Sequence, residues 1–161
     1  MTKAIAIGML GLALAARSAA AQTAAEQAQI LRDFQRSVVD YTQQAECLVS
    51  PEATTAGAPA PRVFTLPVAM VFRQLIGHAL AAPDGTAIGA LTTTHRAVAM
   101  TPFPATDLYE FPVLLNEVLP ALPVPLEYRL IDNDLVIRDV EADVIVAVLR
   151  DAIGTTTTTR R

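Results

Sequence analysis

Few residues in this chain could bind a transition metal. It contains one cysteine, Cys47, and two histidines, His78 and His95. Zinc and similar ions need imidazoles, thiolates or carboxylates that converge on one point. No HxH, CxxC or HxxxH spacing occurs. The sequence therefore predicts no metal site, and it places His78 at the edge of a helical stripe and His95 in a polar loop.

Nucleophilic catalysis would require a serine or cysteine beside a histidine base and an orienting acid. Beyond residue 21 the serines are Ser37, inside a predicted helix, and Ser50, at a predicted linker. Cys47 could be drawn into a triad with either histidine, but no flanking motif supports one. None of the sixteen acidic residues is singled out for acid–base catalysis. We predict no catalytic and no cofactor-binding residues.

Carboxylates are concentrated near the C-terminus, where hard cations such as calcium could be considered. The residues are Asp132, Asp134, Asp139, Glu141 and Asp143. The segment from Asp132 to Asp134 lacks the glycine and the spaced oxygen ligands of a calcium loop. Aspartate and asparagine favour turns, because they tolerate left-handed backbone and bond their own main chain. The cluster is therefore interpreted as turn residues.

Two arginines fall on neighbouring predicted strands of this region. Arg129 and Arg138 could form cross-strand ion pairs with Glu127 and Asp139 on the wet face of a sheet. Alternatively, Tyr128, Arg129 and Arg138 could edge a surface for a partner, since tyrosine and arginine are enriched at interaction hot spots.

Helices are predicted in the first half of the chain. Residues 22–49 are predicted as an N-terminal helix, with apolar residues at steps of three and four: Ile30, Phe34, Val38, Tyr41, Ala45 and Leu48. Residues 50–62 contain three prolines and are predicted as a linker. A second amphipathic helix is expected from the cap Thr65 to about Ala82, with Pro67 in its first turn. A short third helix is expected at 112–119.

The strongest strand signals come last. Three short apolar runs, 126–131, 135–140 and 144–149, are separated by tight acidic turns, which is typical of an antiparallel meander. Another short strand is expected at 96–101. Residues 63–153 would form an α+β core, followed by a disordered tail at 154–161. The N-terminal helix, the second amphipathic helix and the short third helix would pack on one face of its three-stranded sheet.

The N-terminus has the order of a secretory signal peptide. Lys3 is followed by an apolar run from Ala4 to Ala16 and by small residues at Ala19 and Ala21. The apolar run is shorter than the roughly 20 residues that span a bilayer. We therefore predict a signal peptide over residues 1–21, cleavage after Ala21, and no membrane span in the mature chain.

Charge and cysteine content restrict the mature chain further. Without Lys3 and Arg17 it carries ten basic and sixteen acidic residues and no lysine. A net negative charge disfavours nucleic acid as a partner. A single cysteine cannot form an intramolecular disulfide, so Cys47 is a buried apolar residue, a free thiol or an intermolecular link.

Two stretches resemble known sequences. The run FPVLLNEVLPALPVPLEYRLIDNDLVIRDVEADVIVAVLRDAI from Phe111 to Ile153, with RVFTLPVAMVFRQLI from Arg62 to Ile76, resembles an uncharacterised family of small exported bacterial proteins. That resemblance implies a fold but no catalytic residues. Residues 128–148 are also similar to the C-terminal hairpin of periplasmic nickel and cobalt homeostasis regulators. Those hairpins have glycines in both turns, where this chain has Asp132, Asn133 and Ala142.

These observations lead to one expectation and two alternatives. We expect an exported, periplasmic or secreted, non-catalytic accessory protein that binds another envelope or secreted protein, without a cofactor. The hairpin similarity suggests a periplasmic metal-homeostasis or stress factor instead. An enzyme of unidentified class is the third possibility.

Overall fold

A computed structural model describes residues 10–47, 61–82, 96–104 and 110–154, with the backbone alone for 10–22, 46 and 47. In these ranges lie α1 (Leu10–Cys47), α2 (Leu66–Leu80), α3 (Val113–Val118), β1 (Leu126–Ile131), β2 (Asp134–Asp139) and β3 (Val144–Leu149). The strands pair antiparallel in the order β1-β2-β3. The predicted α+β class and the C-terminal meander are confirmed. The predicted tail lies almost wholly outside the described residues, and so does most of the predicted linker.

The start of α1 differs from the prediction. The helix begins at Leu10 rather than at residue 22 and continues through Ala21, the residue before the predicted cleavage point. Between Leu12 and Cys47 the chain contains no glycine or proline, and alanine and leucine favour helix, so nothing in the sequence interrupts it. In the described part of the chain, no helix combines the length and the apolar character that a membrane crossing needs.

Helices α1 and α2 cover one face of the sheet through aromatic contacts. Phe34 of α1 and Phe72 of α2 are fully buried, with ring centroids 4.8 Å apart. The centroid of Phe72 also lies 6.3 Å from that of Tyr128 on β1. Within the described residues, the predicted apolar stripes of both helices therefore face the core. Thr65 occupies the predicted cap position of α2, but its side chain makes no capping hydrogen bond.

The strands follow the predicted alternation, with one shift. β1 and β3 have the predicted bounds, whereas β2 spans 134–139 rather than 135–140. The carboxylate of Asp139 accepts hydrogen bonds from the backbone N–H groups of Glu141 and Ala142, at 3.0 and 2.9 Å. These bonds fold the chain into a turn immediately after Asp139, so Val140 leaves the strand.

The second face of the sheet is partly covered, which corrects the prediction of a single packed face. Residues 96–104, here called the strap, cross this face. Ala97 and Phe103 of the strap form a small buried cluster with Ile131, Val136 and Ile145 of the sheet.

The strap contains no strand over 96–101, so that prediction was wrong. Met100 has φ of 62°, a left-handed conformation that ends an extended run. Only Pro102 makes an isolated bridge, opposite Val144.

Candidate functional site

Of the three residues considered for metal binding, only His78 has a described side chain. His78 is exposed on α2. His95 and the side chain of Cys47 lie outside the described residues. Among the residues that are described, no group of three or more histidine, cysteine, aspartate or glutamate side chains is close enough to hold a metal ion.

The C-terminal carboxylates are dispersed over turns and ion pairs. Asp132 and Asp143 occupy left-handed turn positions, with φ of 55° and 54°. Asp134 pairs with Arg150 and also accepts the backbone N–H of Asp151 at 2.9 Å. Asp132 and Asp143 therefore lie in turns, as the turn interpretation predicted, and the carboxylate of Asp134 has partners within the fold.

A charged cluster lies on the strap side of the sheet. Arg138 pairs across the strands with Glu127 at 3.2 Å, and Arg129 pairs with the same carboxylate at 2.7 Å. The predicted pairing with Asp139 is wrong, because successive residues of a strand face opposite sides. Asp143 takes that place, 2.6 Å from Arg138.

Arg138 is enclosed by this cluster and by the strap. Its guanidinium carbon lies 4.8 Å from the ring centroid of Phe103, and its side chain is only 14% exposed. Burial by itself lowers the pKa of Arg138, but the hydrogen bonds and negative charges of Asp143 and Glu127 outweigh it, so the pKa lies above its ordinary value. Arg138 is thus held in place by protein groups rather than presented to a partner.

The predicted surface of Tyr128, Arg129 and Arg138 is therefore not formed as a unit. Tyr128 is buried on the helix side of the sheet, and its hydroxyl donates to the carbonyl of Pro120 at 2.9 Å. Burial raises the pKa of the Tyr128 hydroxyl. Tyr128 and Arg129 do share the lining of one groove of about 460 Å³, which runs along β1 and includes Asn116 of α3. Arg138 does not line it.

A buried carboxylate joins α1 to the sheet. Asp139 is 3% exposed and accepts a hydrogen bond from the hydroxyl of Tyr41 at 3.2 Å, in addition to the two backbone bonds in the turn. Burial, the charge of Asp139 and this hydrogen bond raise the pKa of Tyr41 from 10.0 to about 12. The arrangement fixes the end of α1 on the β2–β3 turn.

A second groove, here called the β3 groove, is bordered by apolar side chains. It has a volume of about 590 Å³ and lies between the segment before α2, the strap and the last strand. The lining side chains used below are Arg62, Phe64, Leu66, Val98, Val148 and Arg150. Leu66 is 74% exposed and Val98 is 49% exposed. This groove is the candidate functional site.

Sequence reasoning missed the β3 groove because its walls come from segments assigned to other roles. Arg62 was the last residue of the linker, and Val98 was inside a predicted strand. The available signal was Leu66 with Met70, which lie four residues apart and outside the buried stripe of α2.

Comparisons of the chain with protein-family models, with curated proteins and with solved structures give no match. The family resemblance therefore stays a prediction.

Proposed function

We propose that the protein is an exported, non-catalytic accessory protein that binds another envelope or secreted protein. Export is supported by the sequence, through Lys3, the apolar run that follows it and the small residues at Ala19 and Ala21. Binding is supported by one observation above the others. The β3 groove is open and bordered by exposed apolar side chains, which is typical of interaction sites rather than of enclosed reaction chambers.

The chemistry of the two grooves favours binding over catalysis. In the groove along β1, Glu127 and Arg129 neutralise each other at 2.7 Å. The lining of the β3 groove contains arginines and apolar residues. Among the described residues, neither groove brings a nucleophile together with a general base. An enzyme would need such a convergence.

The experiment is an affinity capture of the tagged chain, residues 22–161, from envelope extracts of its host, followed by mass spectrometry. A matched capture uses the double variant Leu66→Asn and Val98→Asn. We expect one dominant envelope protein with the unmodified chain and its loss with the variant. The absence of any enriched protein, followed by a nickel or cobalt titration that raises the melting temperature, would replace the proposal with the metal-homeostasis alternative.

A further inference from the structure

Among the described residues, the outer edge of β3 is paired over only part of its length. Both backbone groups of Ile145 bond the strap: its N–H donates to the carbonyl of Thr101 at 2.9 Å, and its carbonyl accepts from Met100 at 2.6 Å. The strap turns at Met100, which has left-handed backbone, and its preceding residues Val98 and Ala99 form a wall of the β3 groove instead. The second half of the strand edge therefore faces the groove.

Strand alternation identifies the backbone groups that face this groove. Val140 donates to the carbonyl of Pro125, so Arg138 and Val136 direct their backbone groups towards β1. Leu135 and Ile137 consequently bond Leu149 and Ala147 of β3. Val148, between these two residues, directs its N–H and carbonyl outwards. Within the described residues no backbone hydrogen bond to these groups is present.

The side chains beside this edge are apolar and face solvent. Leu66, at the start of α2, and Val98, in the strap, are both exposed and both line the groove with Val148. Single exposed apolar residues are ordinary on protein surfaces. Here they flank a strand edge, so an added strand could place alternate side chains against them.

Among the described residues, the uncompensated charge in the groove is positive. The chain has a net charge of −4, yet the ionisable side chains in the described lining are Arg62 and Arg150. Arg150 pairs with Asp134, which offsets its charge, and it bonds the carbonyl of Ala97, so its position is fixed. Arg73 adds a third guanidinium nearby, because it donates to the carbonyl of Arg150 at 2.8 Å. Arg62 is exposed and has no carboxylate partner among the described residues.

We propose that the β3 groove binds an extended, acidic segment of the partner protein, which adds a strand at Val148. Its backbone pairs with Val148, its apolar side chains contact Leu66 and Val98, and its carboxylates face Arg62. Strand addition of this kind takes affinity from backbone hydrogen bonds and selectivity from the neighbouring side chains. The inference rests on the proposed function and specifies the chemistry of the partner.

The test uses the purified protein and two fluorescent synthetic peptides. One alternates valine and threonine and ends in two aspartates, and the other ends in two asparagines. We expect the acidic peptide to bind with Kd below about 1 mM and about fivefold more tightly than the neutral peptide, as for an exposed charge pair. Arg62→Gln should abolish that fivefold preference, and Leu66→Asn with Val98→Asn should weaken both peptides about tenfold.

Matched controls carry the same changes elsewhere on the surface. Arg32→Gln changes an exposed arginine of α1, and Val124→Asn changes a side chain that is 87% exposed. Both control substitutions should leave the affinities for the two peptides unchanged.

The proposal would be overturned if the two peptides bound with equal affinity. It would also be overturned if the groove variants bound both peptides as tightly as the unmodified protein does. If the envelope partner is still captured by the groove variants, the binding function stands and this assignment of the site fails. If the acidic peptide binds as expected but no envelope protein is captured, the site stands and the accessory function fails.

Discussion

At the scale of single residues, Asp139 has the densest set of hydrogen bonds in the described core. Its carboxylate accepts the Tyr41 hydroxyl and the N–H groups of Glu141 and Ala142 while it is almost fully buried. When a buried acceptor is removed by substitution, its hydrogen-bond donors are left buried and unsatisfied. This lowers the free energy of unfolding by more than the net contribution of the hydrogen bonds. The side chain therefore determines both where β2 ends and where α1 rests.

Removal of this carboxylate should be costly. We expect Asp139→Ala to lower the free energy of unfolding by about 3 kcal/mol and Tyr41→Phe to lower it by about 1 kcal/mol. The neighbouring Asp40→Ala, at an exposed position of α1, should change it by less than about 0.5 kcal/mol. Urea unfolding measures all three. Equal effects of Asp139→Ala and Asp40→Ala would show that the buried bonds contribute nothing.

The raised pKa of Tyr41 predicts a loss of stability in alkali. The pKa of Tyr41 is about 12 in the folded protein, whereas the ordinary value for tyrosine, taken for the unfolded chain, is 10.0. Between these values the unfolded chain has released the phenolic proton and the folded chain retains it, so the free energy of unfolding falls as pH rises. Tyr128, whose pKa is also raised, contributes in the same direction.

Urea unfolding between pH 9 and pH 12, a range set around the ordinary tyrosine value, tests this pH dependence. We expect a smaller decline in Tyr41→Phe and in Tyr128→Phe than in the unmodified protein. Identical slopes in all three proteins would remove tyrosine as the cause. Only the slopes of the free energy of unfolding against pH are compared, because each substitution also changes the stability at neutral pH.

At the scale of elements, the strands were predicted best because two-residue alternation reports directly on burial. Leu126, Tyr128 and Leu130 do face the core, and the bounds of β1 and β3 follow. The strap was missed because its structure depends on contacts distant in sequence and on left-handed backbone at Met100, which the residue type does not specify. The start of α1 was missed because a processing signal and a helix can share the same alanine-rich residues.

The strap itself can be tested through Phe103. This ring is buried in the second cluster and lies beneath the guanidinium of Arg138. We expect Phe103→Ala to lower the free energy of unfolding by about 3 kcal/mol, since it leaves a cavity and removes the cation–π contact. Val124→Ala, on an exposed loop side chain, is the control and should have an effect near zero. If Phe103→Ala and the unmodified protein have equal denaturation midpoints, the packing of the strap contributes nothing to stability.

At the scale of the whole molecule, α1 joins residues of the predicted signal to residues of the core. Residues 10–21 of α1 belong to the predicted signal, and the second half of the helix contributes Phe34 and Val38 to the core. Among the described side chains of α1, those that pack on the core begin at Ile30. The predicted cleavage after Ala21 would leave these core residues in the mature chain.

The predicted signal gives a prediction about processing. N-terminal sequencing of the exported protein should begin at Gln22, and Ala19→Arg with Ala21→Arg should leave an uncleaved precursor, because signal peptidases require small residues there. The control Gln27→Ala, within α1 but beyond the cleavage point, should be processed normally. The processed protein should match residues 22–161 produced without a signal in melting temperature, since both contain the same core. Two results would contradict this prediction: an exported protein that retains residue 3, or a chain of residues 22–161 that does not fold. Either result would show that the first half of α1 is part of the mature folded protein.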